Sequence, residues 1–66
     1  MKCKVFTCQI STAKKYVRAP SPEHAALVMA HWYQIESGVE SLGRTRVQVA
    51  GNEYEVRLVS SYVEKI

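Results

Sequence analysis

APSPEHAALVMAHWYQIESG, residues 19–38, is the stretch from which the fold of this chain can be worked out. Ser21 stands where an N-cap hydroxyl can accept from an orphan amide of the first helical turn. Pro22 brings a backbone angle already suited to the first helical position, and Glu23 sets a negative charge against the positive end of the helix dipole. Ser37 and Gly38 form a common stop signal. The predicted helix therefore covers residues 22–37. At about 100° per residue, Ala25, Ala26, Val28, Met29, Trp32, Tyr33 and Ile35 share one broad arc, with Glu23, His24, His31 and Gln34 on the other. Leu27 falls alone among the polar positions.

Upstream, residues 2–10 are rich in strand formers (Val5, Phe6, Thr7, Ile10), and residues 14–19 carry Tyr16 and Val17. With Ser11 and Thr12 as a two-residue loop, 2–19 is a hairpin. Cys8 then faces Lys15 and Phe6 faces Val17 on one side. On the other side Gln9, Thr7 and Val5 face Lys14, Tyr16 and Arg18.

Downstream, after a connection at 38–43, residues 44–60 read as a second hairpin turning at Gly51 and Asn52. That corner pairs Val49 with Tyr54, Val47 with Val56, Arg46 with Arg57 and Thr45 with Leu58. Val47, Val49, Tyr54, Val56 and Leu58 all fall on one face, and a one-residue slip would set Val49 against Glu55. Residues 61–66 are a tail that either extends the last strand or folds back. The expected fold is α+β, ββαββ, with one helix packed on one face of a four-stranded antiparallel sheet. A right-handed crossover from the second strand to the third gives the order 2-1-3-4.

The 66 residues, 47% hydrophobic and 23% charged, fit one small domain. A chain of this length buries only about 60% of the surface its unfolded form exposes, so the core is thin. The net charge of +3 is uneven along the chain: residues 1–22 hold five cations and no acid, whereas residues 23–43 hold only Glu23, Glu36 and Glu40. No apolar run approaches the roughly 18 residues of a membrane span. Lys2 and Lys4 are not followed by a signal-type apolar segment. A cytoplasmic protein without membrane contact is the expectation, and two free thiols agree with a reducing compartment. Cys3 and Cys8, five apart in one strand, have Cα atoms about 17 Å apart, too far for the roughly 7 Å limit of a disulfide.

No catalytic or cofactor signature is present. The pattern C-x4-C-x15-H-x6-H departs from zinc-finger spacing, because the two His lie about 10.5 Å apart along a helix. With both His on the outer face of a helix and only Glu available as a carboxylate, no nucleophile, base and orienter set can be drawn. The chain is therefore read as a non-enzymatic interaction or regulatory protein with no cofactor and no metal.

Its expected binding surface is the sheet face away from the helix, with Arg44, Arg46, Arg57, Arg18, Lys14 and Tyr16. Arg46 opposite Arg57 is a like-charge pair, which is unfavourable without an anion between the guanidiniums. An acidic protein or nucleoprotein is the expected partner. Nucleic acid on the same face is the alternative, weakened by the few aromatics available for stacking. Self-association into a homodimer is a third reading. The helix exterior, with His24, Leu27 and His31, is a second candidate interface.

The short hairpin, the APSPEHAA helix start at 19–26 and the closing hairpin together resemble small accessory proteins encoded by phages and mobile elements, some anti-CRISPR inhibitors among them. The resemblance spans the chain and is carried by architecture and size. It implies a stoichiometric binder that uses its surface to occlude a larger protein or nucleoprotein.

Overall fold

The computed structural model describes residues 2–37 and 44–66. Five strands and one helix follow in the order β1 (Lys4–Ile10), β2 (Ala13–Ala19), α1 (Pro22–Ser37), β3 (Arg44–Val49), β4 (Asn52–Arg57) and β5 (Tyr62–Lys65). All strand pairs are antiparallel, in the spatial order β2-β1-β3-β4-β5. The expected order of the first four strands is observed. A fifth strand is added, because residues 62–65 fold back on β4 after a turn in which the Ser61 amide donates to the Leu58 carbonyl at 3.3 Å. The expected connection at 38–43 lies outside the described residues.

Helix α1 begins as its first residues dictate. The Ser21 hydroxyl accepts from the His24 amide at 3.2 Å, and the Ser21 carbonyl accepts from the Ala25 amide at 3.0 Å. The helix packs across all five strands, and its contact stripe is Ala25, Ala26, Met29 and Ala30, all essentially inaccessible. Three of these four are alanines, so the helix backbone approaches the sheet closely; the Cys8 thiol lies 4.0 Å from the Ala25 carbonyl. Cys8, Ile10, Val17, Ala19, Val47, Val49, Tyr54 and Val56 form the opposing layer.

That close seating corrects the helical arc. Val28 and Ile35, expected inside, are exposed, whereas Leu27, expected outside, is half-buried against the core. A helix resting on one flat sheet buries a single stripe, here centred between Ala26 and Met29; Leu27 and Val28 flank it on opposite sides, and Leu27 packs against the core while Val28 does not.

The first hairpin has the predicted register, Cys8 with Lys15 and Phe6 with Val17. The second is shifted by two residues. Its corner is Ala50-Gly51, both in the left-handed region (φ 49° and 88°), so Val49 pairs with Asn52, Val47 with Tyr54, Arg46 with Glu55 and Arg44 with Arg57. Two positive φ values in sequence are what a type I′ corner requires. A two-residue shift leaves every side chain on its original face, so Val47, Val49, Tyr54 and Val56 are buried in either register. The neighbouring strand fits the observed one: the Ala50 amide donates to the Thr7 carbonyl of β1 at 3.0 Å.

Candidate functional site

The face away from α1 is uncovered by any described residue. Alternation along each strand places Val5, Thr7 and Gln9 of β1 there, with Lys14, Tyr16 and Arg18 of β2, and Arg44, Arg46 and Gln48 of β3. Strands β4 and β5 add Glu53, Glu55, Arg57, Tyr62 and Glu64. All six predicted site residues, Arg44, Arg46, Arg57, Arg18, Lys14 and Tyr16, thus lie on one face and are exposed. Val59 sits in the turn between β4 and β5.

The register corrects the electrostatics within that group. Arg46 is not opposite Arg57; it faces Glu55, and its Nη1 donates to Glu53 Oε1 at 3.2 Å. Arg44 Nε lies 3.5 Å from Glu55 Oε1. The like-charge pair is Arg44 with Arg57, and Glu55 beside Arg44 relieves it. Arg57 also lies 6.0 Å from the Tyr62 ring centroid, on the outer limit of a cation–π contact. The β3–β4 half of the face is therefore a mixed lattice in which Glu55 pairs with Arg44 and Glu53 with Arg46, while Glu64 lies opposite Glu55 and, among the described residues, no carboxylate pairs with Arg57.

Unpaired positive charge collects at the opposite margin. Among the described residues no carboxylate pairs with Lys14 or Arg18. Tyr16 stands between them, 75% exposed. On the other face of the same strand, Lys15 Nζ lies 4.3 Å from the Trp32 ring centroid, which holds that ammonium against the helix. Strand β2 carries three cations and no acid.

Strand β2 is also an edge. The two-residue loop at Ser11 and Thr12 makes Ile10–Ala13 a hydrogen-bonded pair, and such pairs alternate along an antiparallel ladder. Lys14, Tyr16 and Arg18 are therefore the residues whose amides and carbonyls point away from β1. The Thr7 carbonyl, opposite Tyr16, points the other way to bond Ala50. Among the described residues no strand pairs with this outer edge.

The second candidate surface is rearranged. His24 and His31 are exposed on α1, but Leu27 packs on the core, and the exposed apolar residues beside the histidines are Val28 and Ile35. Missed by sequence reasoning were Val28 and Ile35 as exposed helix residues and Glu64 on the open face. The tail at 61–66 was open between extending the last strand and folding back, and the choice depends on a turn with a left-handed serine, Ser61 (φ 53°).

Cys3 is exposed and Cys8 buried, both as free thiols. Burial pushes the Cys8 thiol above the ordinary thiol range, because the thiolate would lose its hydration. Among the described residues no three His, Cys or Glu side chains gather into a metal-binding group. No described helix is long and apolar enough to cross a membrane. Compared with known protein families, curated proteins and solved structures, the chain matches none.

Proposed function

We propose that this chain is a non-enzymatic binding protein that docks an acidic protein partner on the open face of its sheet, in the manner of an inhibitor or regulator. The observation that carries this reading is the margin of the face at β2, where Lys14 and Arg18 flank an exposed Tyr16 with no carboxylate paired to either cation among the described residues. Tyr and Arg are the side chains that most often anchor protein interfaces, and a guanidinium fork suits a carboxylate. Glu53, Glu55 and Glu64 on the same sheet favour a protein over a polyphosphate, which would meet three like charges there. Electrostatic complementarity of this kind mainly sets the rate of encounter and the choice of partner.

The test compares the wild-type chain with Lys14→Glu/Arg18→Glu and with Arg44→Gln/Arg46→Gln, as baits in nuclease-treated extract of the source organism. The expected result is a captured protein that the β2 variant loses and the β3 variant largely keeps, with all three melting within a few degrees of one another. Capture indifferent to the β2 reversal refutes the assignment. Retardation of single-stranded RNA or DNA that falls steeply with salt would replace it with the nucleic-acid reading.

A further inference from the structure

An open face can bind a partner in several ways, and the edge of β2 narrows them. Three features coincide there. The amides and carbonyls of Lys14, Tyr16 and Arg18 point off the sheet, by the alternation that the Ser11–Thr12 loop sets and the Ala50–Thr7 hydrogen bond supports. Their side chains all project to the open face. The strand is seven residues long, without the proline or bulge that often protects an edge.

A second copy of this chain is a poor occupant. Antiparallel pairing of β2 with itself about Tyr16 sets Lys14 against Arg18 twice, and β2 holds no acid to relieve any other register. The far edge of the sheet does not help. The Ile66 amide bonds the Glu53 carbonyl at 2.9 Å. By the same alternation the outward groups of β5 belong to Val63 and Lys65, so a head-to-tail contact adds another cation.

From this we infer that β2 is a strand-addition site for an extended acidic segment of a partner protein, with carboxylates opposite Lys14 and Arg18 and an apolar residue opposite Tyr16. This rests on the protein-binding reading above and specifies its geometry. Main-chain hydrogen bonds to Lys14, Tyr16 and Arg18 supply the common part of the affinity. The alternating side chains supply the selection. A segment of the form acid-x-apolar-x-acid fits, because opposite residues in an added strand share the face of those they oppose.

The test uses the full chain labelled with nitrogen-15 and the synthetic peptide Thr-Glu-Thr-Val-Thr-Glu-Thr. Two further versions carry N-methyl groups, one on the Glu and Val amides, the other on the alternating Thr amides. The inference expects the amide signals of Lys14, Tyr16 and Arg18 to shift on titration and to gain exchange protection. It also expects methylation of the Glu and Val amides to weaken binding about tenfold or more, as loss of two or more ladder hydrogen bonds should. Methylation of the Thr amides should leave binding within about threefold, since those groups face away from β2.

Equal sensitivity to both methylation patterns, or shifts confined to Arg44, Arg46 and Arg57, overturns strand addition while leaving open-face docking intact. No shift anywhere on the face at millimolar peptide, together with no protein captured in the extract experiment, overturns both. Concentration-dependent protection of the same amides in the free protein, with dimers in sedimentation, overturns the inference in favour of self-pairing.

Discussion

Replacing Ala50 by glycine should make this protein more stable, although most substitutions do the opposite. Ala50 sits at the first corner position of the β3–β4 hairpin with φ 49°. An L-residue held in that region costs roughly 1–2 kcal/mol. Glycine removes the steric cost but gives back about 0.4–1 kcal/mol through the greater freedom of the unfolded chain. The net gain is about 0.5–1 kcal/mol, or about 3–8 °C in a domain of this size. Asparagine tolerates the left-handed region without that entropy loss and completes the favoured Asn-Gly corner, so Ala50→Asn should gain at least as much. Gly51→Ala isolates the conformational term: its added Cβ would meet nothing within 4 Å, yet φ is 88°. It should lose about 1 kcal/mol, the steric cost less what alanine saves in the unfolded chain. Thermal and urea unfolding followed by circular dichroism read all three. A lower melting temperature for Ala50→Gly refutes the register. Were the corner at Gly51 and Asn52, Ala50 would be an extended strand residue, and glycine there would cost about 0.5–1 kcal/mol.

Met29→Ala, at the centre of the helix–sheet contact and fully buried, should cost about 2–5 kcal/mol. That is a large share of the few kcal/mol a small domain possesses, so the cooperative thermal transition should fall by more than 10 °C. Ser21→Ala removes the hydroxyl that accepts from His24 and should cost about 1 kcal/mol in urea unfolding, with Ser21→Asp restoring most of it. Native thiol titration should label exposed Cys3 quickly and buried Cys8 only on unfolding. Because burial raises the Cys8 thiol in the folded state, stability from its protonated form is complete below the ordinary thiol range and lost as pH rises through the raised value. Cys8→Ala should flatten that alkaline decline. Arg46→Gln, which breaks an exposed pair with Glu53, should change stability by less than about 1 kcal/mol.

The elements legible in the sequence were those with a local physical cause. Ser21, Pro22 and Glu23 form a start signal within one turn of chain, and α1 begins at Pro22. The Ser11–Thr12 loop pins the first hairpin, because any other loop length would change which residues oppose Cys8 and Phe6. The face of each strand was readable for a similar reason, since the alternation of Val47 and Val49 and of Tyr54 and Val56 survives any even shift of register. The pairing itself was not readable. The test applied to the second hairpin excluded a one-residue slip and was blind to a two-residue one. That blindness matters at the candidate site, where it decides whether Arg46 meets Arg57 or Glu55.

By itself, then, the sequence determined the types of the first five elements, the inward and outward sides of the sheet, and the gathering of cations on the outward one. These follow from backbone conformational preferences and a two-residue side-chain period, which act over a few residues. The handedness of the crossover supplied the order of the first four strands, with β2 at an edge, and the tertiary structure decided the corner at Ala50 and Gly51, the return of β5, and the turning of Leu27 inward and Val28 outward. Each depends on a contact between segments distant in sequence, such as Ala50 with Thr7 or the alanine stripe of α1 with the sheet. No local propensity encodes such a contact, and the choice falls to the packing that buries the most apolar surface while leaving each strand's hydrogen bonds satisfied.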